Sequence, residues 1–213
     1  MGSMRLVLAS RSPRRVELLT RAGYRFEVAP ADIDERRFDG EVPRELVRRL
    51  AREKAAAVAP RHPGAVVLGA DTLVVVDGAV LGKPDGAAGA AAMLRRLSGR
   101  AHEVLTGVAL QAGDRCRDGV QSTRVVFRAL SPDDVAWYVA TGESADKAGS
   151  YSIQGRASRF VTRIEGSYTN VVGLPIELVD DLLRELARPS SPSAPPGAQP
   201  TLRESAPFHG ADS

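Results

Sequence analysis

The chain has few of the residues that build disulfides, metal clusters or stacking surfaces. Its 213 residues include one cysteine, three histidines and 5% aromatic side chains. Cys116 can form no intramolecular disulfide and has no second cysteine with which to bind zinc. The scarcity of aromatic residues, together with basic residues interspersed among acidic ones, argues against a nucleic-acid partner. No apolar run has the length of a membrane span and no signal-peptide pattern opens the chain, so we expect a cytoplasmic protein without a membrane partner.

Several well-known catalytic and nucleotide-binding motifs are also missing. The chain contains no G-x-x-x-x-G-K-[ST] loop, no G-x-G-x-x-G turn and no G-x-S-x-G elbow. Lysine is scarce as well, because the 29 basic residues include only Lys54, Lys83 and Lys147. What the chain does have is an apolar fraction of 43% and a formal net charge of +3, which predict a globular core beneath a nearly balanced surface.

Apolar runs and amphipathic segments alternate along the first 188 residues. The predicted strands cover residues 6–9, 24–28, 65–70, 72–76, 79–81, 104–111 and 121–129, the last two joined by a polar loop over 112–120. The predicted helices cover residues 13–22, 43–59, 87–97, 131–141 and 174–187. Because helices alternate with strands but hairpins interrupt them, we expect an α/β fold with a mixed, twisted sheet flanked by helices.

The composition changes after Arg188, where proline, serine and alanine dominate the stretch PSSPSAPPGAQP. Such a segment has no pattern that could form a core. The sequence therefore predicts one domain over residues 4–188 and a disordered tail over 189–213. Phe208 and His209 fall in this tail and are not catalytic candidates.

The stretch RLVLASRSPRR, residues 5–15, predicts a site for an anion. An apolar strand leads through small hydroxyl residues to Ser12, which suits a helix N-cap, and to Pro13, which suits the first helical position. Free backbone N–H groups and the positive end of the helix dipole favour a negative charge there. Arg14 and Arg15 add fork-shaped donors that match phosphate oxygens. We therefore expect phosphate to bind at this helix start.

Asp71 is the one charged residue in the apolar run VVLGADTLVVV. A buried carboxylate is costly unless it is paired or bound to a cation. It is either a structural acid held by a backbone donor or an arginine, or a metal ligand or general base. Glu35 at the end of ADIDE and Lys83 in the tight turn GKP supply a second carboxylate and a cation. Together with arginine these are the usual ingredients of Mg²⁺-assisted phosphoryl chemistry.

Two further side chains are weak signals on the residues alone. Lys54 lies in the middle of a helix, in AREKAAAVA, where the default is a side chain that faces solvent. Gln154 lies in YSIQG, a loop that continues into glycine. Its amide could read the edge of a nucleobase or stabilise the loop through a hydrogen bond.

Six blocks in order resemble the Maf-like nucleoside triphosphate pyrophosphatases. They are LASRSPRRVELL, DIDE, REKA, GADTLVVVDGAVLGKP, LSGRAHEVLTGVAL and YSIQGRASRFVTRIEGSYTNVVGLP, and the resemblance spans residues 5–187. It implies the Maf/ITPase-like fold, a divalent cation (Mg²⁺ or Mn²⁺) and a homodimer. It also implies a reaction in which water attacks the α-phosphorus of a nucleoside triphosphate and releases the monophosphate and pyrophosphate.

The resemblance also assigns roles to individual residues. By position in the motifs, Asp71 corresponds to the family's proposed proton acceptor. Arg14, Thr72 and Gln154 fall where the family varies with substrate, and this set is similar to the subgroup that acts on dTTP and UTP. The remaining motif positions are assigned to substrate or, for Glu35 together with Asp71, to the metal: Ser10, Arg15, Glu35, Lys54 and Lys83.

The sequence leaves several alternatives to this function open. A sister subgroup prefers 7-methylated GTP, and modified pyrimidine nucleotides are further candidate substrates. A phosphatase would release orthophosphate in place of pyrophosphate. A non-enzymatic regulator of septum formation would bind nucleotide without turning it over, but it would not need to keep both Asp71 and Lys83.

Overall fold

The computed structural model describes residues 4–145 and 147–188, in which seven strands form one mixed sheet with helices packed on it. The strands are β1 (Leu6–Leu8), β2 (Phe26–Val28), β3 (Val66–Val76), β4 (Ala79–Leu81), β5 (Ala101–Ala112), β6 (Arg115–Phe127) and β7 (Val161–Glu165). The helices are α1 (Pro13–Arg21), α2 (Pro43–Val58), α3 (Gly86–Leu97), α4 (Pro132–Ala140), α5 (Tyr168–Val172) and α6 (Ile176–Ala187). Short 3₁₀ turns lie at residues 59–61, 148–150 and 156–160.

The strand order confirms the predicted α/β fold with a mixed sheet. The order across the sheet is β2-β1-β3-β5-β6-β7, with β1 parallel to both β2 and β3. Strands β3, β5, β6 and β7 are joined by antiparallel pairing. Burial follows the pleat, because Leu6 and Leu8 pack into the larger apolar cluster whereas Val7 packs into the smaller one beneath α2.

One edge of β3 has two different neighbours with an interval between them. Strand β1 pairs with residues 66–68 of β3, and β4 pairs with residues 74–76. Strand β5 runs along the opposite edge of β3 over residues 67–75. Residues 69–73 therefore have no strand partner on the β1–β4 edge, and Asp71 lies in the middle of this interval.

Helix α2 lies unusually close to the sheet because two glycines face it. A Cβ atom on Gly69 would lie 2.1 Å from the Ala51 carbonyl oxygen, and one on Gly107 would lie 2.2 Å from the Val47 carbonyl oxygen. No side chain fits between helix and strand at these two points. The backbone of α2 thus rests directly on β3 and β5, and this contact sets the height of every α2 side chain above the sheet.

Two stretches that the sequence predicts as breaks between strands are in fact part of strands. Strand β3 is continuous through Gly69 and Asp71, because β5 supplies a ladder partner along this whole stretch. The predicted polar loop over residues 112–120 is mostly strand, since β5 ends at Ala112 and β6 begins at Arg115. Its polar residues are accommodated because Asp118 of β6 forms ion pairs with arginines of α2.

The final helix is shorter than predicted. Residues 168–172 form the separate helix α5, and α6 begins at Ile176, after Pro175. The predicted tail over 189–213, with Phe208 and His209, lies outside the described residues. Among the helices that are described, none combines the length and the apolar character that crossing a membrane requires.

Candidate active site

A cleft of about 680 Å³ opens beside residues 69–73 of β3, which have no strand partner on the β1–β4 edge. Its lining comes from the turn between β1 and α1, the segment after β2, helix α2, strand β3, the turn after β4 and the loops on either side of residue 150. The structure brings all the sequence-predicted site residues to this one cleft: Ser10, Arg14, Arg15, Glu35, Lys54, Asp71, Thr72, Lys83 and Gln154.

Lys54 joins two carboxylates at the inner end of the cleft. Its Nζ atom lies 2.7 Å from Asp71 Oδ1 and 2.8 Å from Glu35 Oε1. The expectation that Lys54 faces solvent is wrong, because the residue is only 8% exposed. Helical spacing held a signal for this, since Lys54 follows the buried Leu50 by four residues and so lies on the face that packs on the sheet.

Asp71 is therefore a paired acid with one oxygen left over. It is 8% exposed, and its Oδ1 atom accepts a hydrogen bond from Lys54. Neither a backbone donor nor an arginine holds it, which were the partners expected of a structural acid. Within the described residues its Oδ2 atom makes no hydrogen bond, so this oxygen can accept a proton or bind a cation in the cleft.

Arg15 occupies the interval in the β3 edge. Its Nη1 atom donates to the carbonyl oxygen of Ala70 at 2.8 Å and to Ser10 Oγ at 3.2 Å. Its Nε atom donates to the Gly173 carbonyl oxygen at 2.9 Å. Burial lowers the pKa of the Arg15 guanidinium, and the nearby Asp71 carboxylate partly offsets this. Arg15 thus gives most of its donors to protein acceptors, whereas the sequence had predicted a phosphate ligand.

Thr72 belongs to the same hydrogen-bond network. Its hydroxyl accepts from Arg15 Nη2 at 3.1 Å, lies 3.0 Å from Thr106 Oγ1 and reaches the Gly173 carbonyl oxygen at 3.2 Å. A hydroxyl has one donor and two acceptor positions, so these contacts use its full capacity. Thr72 consequently fixes the wall of the cleft between β3 and the end of α5.

The amino end of α1 opens into the cleft as the sequence predicted. Ser12 holds the N-cap position and Pro13 the first helical position, but the Ser12 side chain makes no capping hydrogen bond. The Ser12 N–H instead donates to Ser10 Oγ at 3.2 Å. The first-turn N–H groups of α1 are thus free of a side-chain cap, as an anion site requires.

Unpaired cations surround the mouth of the cleft. Arg11, Arg14 and Lys83 all line it, and none forms an ion pair with another described residue. Sequence reasoning missed Arg11, although its place between the two serines of the β1–α1 turn put it beside the predicted anion site. The cleft therefore combines these cations with the exposed Glu35 and with Asp71, which is buried beside Lys54.

The opposite wall comes from the segment around residue 150. The exposed Gln154 side chain makes no hydrogen bond with any described residue, which leaves its amide available. Tyr151 is buried behind it, and its hydroxyl lies 2.9 Å from His102 Nε2. Burial lowers the pKa of His102 to about 4, so the imidazole is neutral near pH 7. Lys147, also missed as a site residue, lines the cleft and donates to the Glu143 carbonyl oxygen at 2.8 Å.

The donor set determines what kind of metal ion could bind here. Across the described ranges, no cluster of three or more His, Cys, Asp or Glu side chains could enclose an ion. Asp71 and Glu35 supply two carboxylates that contact the same ammonium nitrogen. Mg²⁺ typically binds through one or two carboxylates together with substrate phosphates and water. The residues present fit an ion of that kind, with Lys54 standing between the carboxylates in this structure.

Comparisons with known proteins agree with the earlier resemblance. Residues 5–186 match the family model described as Maf-like protein. The dTTP/UTP pyrophosphatase of Symbiobacterium thermophilum is 54% identical over 86% of this chain and 95% of its own length. The protein of the same name from Geobacter sulfurreducens is 53% identical over 84% and 96%. The structure of the Staphylococcus aureus Ham1 protein, 14% identical with a TM-score of 0.50, covers 85% of this chain and 99% of its own and supports the fold.

Proposed function

The chain belongs to the Maf-like protein family, and on that premise we propose that it hydrolyses dTTP and UTP to the monophosphate and pyrophosphate in this cleft. Its relatives at 53% and 54% identity carry the name dTTP/UTP pyrophosphatase, and they are matched over nearly their whole length. The observation that carries the proposal is that one cleft holds the cations Arg11, Arg14 and Lys83 together with the buried carboxylate of Asp71. A triphosphate needs cations along its length and a base or metal ligand at the phosphorus that reacts.

The phosphates bind, in this proposal, at the mouth of the cleft. The free N–H groups at the start of α1 and the unpaired Arg11, Arg14 and Lys83 face this region. Arg14 and Lys83 neutralise the charge that develops on the departing pyrophosphate. Ser10 and Arg15 hold the start of α1 in place, because Ser10 Oγ accepts hydrogen bonds from both the Ser12 N–H and Arg15 Nη1.

Asp71 accepts the proton in the proposed chemical step. The oxygen of a water molecule forms a bond to the α-phosphorus while the bond from that phosphorus to the bridging oxygen breaks. Pyrophosphate leaves with the electron pair, and the water proton passes to Asp71 Oδ2. Lys54 holds Oδ1 at 2.7 Å, which orients the carboxylate for this transfer.

Glu35 and Asp71 would hold the divalent cation, together with the substrate's own phosphates. When bound, Mg²⁺ or Mn²⁺ would polarise phosphate oxygens and offset their charge. Lys54 contacts one oxygen of each of these carboxylates, Asp71 Oδ1 and Glu35 Oε1. Its own positive charge stays beside the phosphates and supports their binding.

Gln154 is the residue that we propose contacts the base. An amide offers a donor and an acceptor together, which matches the edge of uracil or thymine. Thr72, which lines the same cleft, contributes indirectly by fixing the wall between β3 and the end of α5, since its hydroxyl is engaged by protein contacts. Replacement of Gln154 by alanine should reduce the preference for UTP over GTP, whereas an unchanged ratio of kcat/KM would contradict this role.

One assay tests the proposed activity directly. Purified protein is incubated with dTTP, UTP, CTP, GTP, 7-methyl-GTP and modified pyrimidine triphosphates, each with Mg²⁺ or Mn²⁺, and pyrophosphate and orthophosphate are measured separately. We expect pyrophosphate from dTTP and UTP, with chelation of the metal stopping the reaction. Orthophosphate as the product, or preference for 7-methyl-GTP, would refute the proposal. The homodimer and the cytoplasmic location stay predictions, the first to be checked by light scattering.

A further inference from the structure

A half-buried arginine outside the cleft contacts the segment that carries Glu35. Residues 29–42, between β2 and α2, form neither helix nor strand, and most of this segment is exposed. Glu35 itself is 57% exposed at its side chain, and its one ion pair among the described residues is with Lys54. Neither a strand nor a helix therefore keeps its carboxylate in the cleft.

Arg49 of α2 supplies the missing support. Its Nε and Nη2 atoms bind the two carboxylate oxygens of Glu41 at 2.7 and 2.9 Å. Nη2 also donates to the backbone carbonyl oxygen of Arg36 at 3.0 Å. The guanidinium lies 4.0 Å from the centre of the Phe38 ring. One side chain on a rigid helix thus contacts the segment at three points, the first of them one residue after Glu35.

Hydrogen bonds within the segment connect two of the residues that Arg49 contacts, Phe38 and Glu41. The Phe38 N–H donates to Glu41 Oε2 at 3.1 Å, and the Glu41 N–H donates to the Phe38 carbonyl oxygen at the same distance. Glu53, one turn later on α2, accepts from Arg49 Nη1 at 3.1 Å and keeps the guanidinium in place. The Arg49 side chain is 19% exposed and the Glu41 side chain 11%, so water screens this ion pair little.

We propose that Arg49 is a positioning residue that fixes residues 36–41 against α2 and thereby holds the Glu35 carboxylate beside Lys54 and Asp71. Lys54 lies five residues after Arg49 on the same helix, so α2 carries both the residue that holds the segment and the residue that Glu35 contacts. The effect on catalysis rests on the proposed function, because it requires that Glu35 take part in the reaction. The grip on the segment does not depend on that function.

The first test measures the segment without any substrate. Limited trypsin digestion with mass spectrometry follows cleavage after Arg36 and Arg37 in the wild type, in Arg49→Met and in Arg48→Met. We expect faster cleavage at these bonds in Arg49→Met alone. Arg48→Met is the matched control, because it removes a neighbouring arginine and one tryptic site from the same helix, but Arg48 pairs with Asp118 on β6. Unchanged cleavage in Arg49→Met would overturn the proposal.

The second test measures whether Arg49 acts through Glu35. Removing an indirect support of a metal ligand typically costs about 10- to 100-fold in activity or metal affinity. We expect a kcat loss of that size for Arg49→Met at an unchanged melting temperature, and partial recovery in Arg49→Lys, which keeps the charge but not the fork. In a Glu35→Gln background, Arg49→Met should cost no more than about twofold.

The two tests distinguish a failure of the role proposed for Arg49 from a failure of the proposed pyrophosphatase activity. If Arg49→Met lowers kcat equally with and without Glu35, the residue is merely structural and the proposal fails. If the wild type releases no pyrophosphate, the proposed function fails, and the trypsin test alone decides whether Arg49 holds the segment.

Discussion

In the proposed reaction, Asp71 is the partner of Lys54 and the proton acceptor, in addition to being a ligand of the divalent cation. Its Oδ1 atom accepts a hydrogen bond from Lys54, whereas Oδ2 makes no hydrogen bond with any described residue. An asparagine keeps the shape of the side chain and one oxygen, but it cannot accept the proton. The role of Asp71 thus depends on its charge more than on its volume.

Replacing Asp71 by asparagine should separate binding from turnover. We expect kcat to fall by roughly 100- to 10,000-fold, the usual contribution of a general base. Nucleotide affinity should remain close to that of the wild type, because the cations at the cleft mouth are untouched. Asp77→Asn is the matched control, since Asp77 lies in the turn after β3 and pairs with Arg100 on the surface. Fluorescence titration with UTP and a pyrophosphate-release assay provide the two readings, and retained turnover would exclude the base role.

His102 makes the stability of the protein depend on pH. Its imidazole is 2% exposed, and burial lowers its pKa from 6.5 to about 4. The unfolded chain therefore binds a proton between these values while the folded chain does not. The free energy of unfolding should be highest above pH 6.5 and should fall by roughly 3 kcal/mol from this group as the pH drops to 4.

Urea denaturation across pH 4 to 7 checks this expectation. His102→Asn removes the titrating ring, so the difference between wild type and variant should shrink as the pH falls. The same substitution at the partly exposed His62 is the matched control. A constant difference between wild type and His102→Asn at all pH values would show that the ring contributes packing alone.

At the scale of elements, the contact between α2 and the sheet positions the inner end of the cleft. Gly69 and Gly107 let the helix backbone touch β3 and β5, and Lys54 reaches Asp71 from that height. Arg49 reaches the segment of Glu35 from the same helix. The position of one helix thus controls Lys54 directly and Glu35 through Arg49.

A methyl group at Gly107 should push this helix away. Gly107→Ala would place a Cβ atom 2.2 Å from the Val47 carbonyl oxygen, so α2 must move. We expect the free energy of unfolding to fall by about 1–3 kcal/mol, the usual cost of overpacking, and kcat to fall with it. Gly89→Ala in α3 is the control, because its Cβ would meet its nearest heavy atom at 3.7 Å and should be neutral or slightly stabilising. Urea titration measures the free energy of unfolding of both variants. An equal change in the two would contradict the close approach of α2 to β5.

Periodicity predicted most helices and strands but not the contacts between them. Apart from the unbroken β3, the strands and helices up to α3 follow the predicted pattern closely, since each is set by local apolar spacing. The polar stretch before residue 121 forms a strand because Asp118 finds arginines on α2, which no local pattern contains. The same limit applies in the site, because the sequence does not predict which protein acceptors Arg15 contacts. The acceptors Ala70 and Gly173 lie 55 and 158 residues away in the chain.

At the scale of the whole molecule, the described fold closes with α6. Leu186 is 5% exposed, and Arg115 of β6 donates to the carbonyl oxygens of both Leu186 and Arg188. The match to the family ends at residue 186. The predicted domain boundary at Arg188 includes these contacts and stays a prediction.

Truncation should locate this boundary sharply. A chain that ends at Arg188 should keep the melting temperature and kcat of the full chain, because it retains the acceptors of Arg115. A chain that ends at Glu185 loses these acceptors and the buried Leu186, and its free energy of unfolding should fall by about 2 kcal/mol or more. Calorimetry and the pyrophosphate assay compare the three proteins, and a loss of activity on removing residues 189–213 alone would assign the tail a role.

The interval between β1 and β4 along β3 also restricts how the chain can change in length. A strand rises about 3.3 Å per residue, so an insertion of two residues there would carry β4 and Lys83 about 7 Å farther from α1. An insertion of one residue would turn Asp71 to the opposite face of the sheet. The stretch from residue 69 to 73 must therefore keep its length of five residues. Related sequences can vary in the length of the β5–β6 turn but not of this stretch.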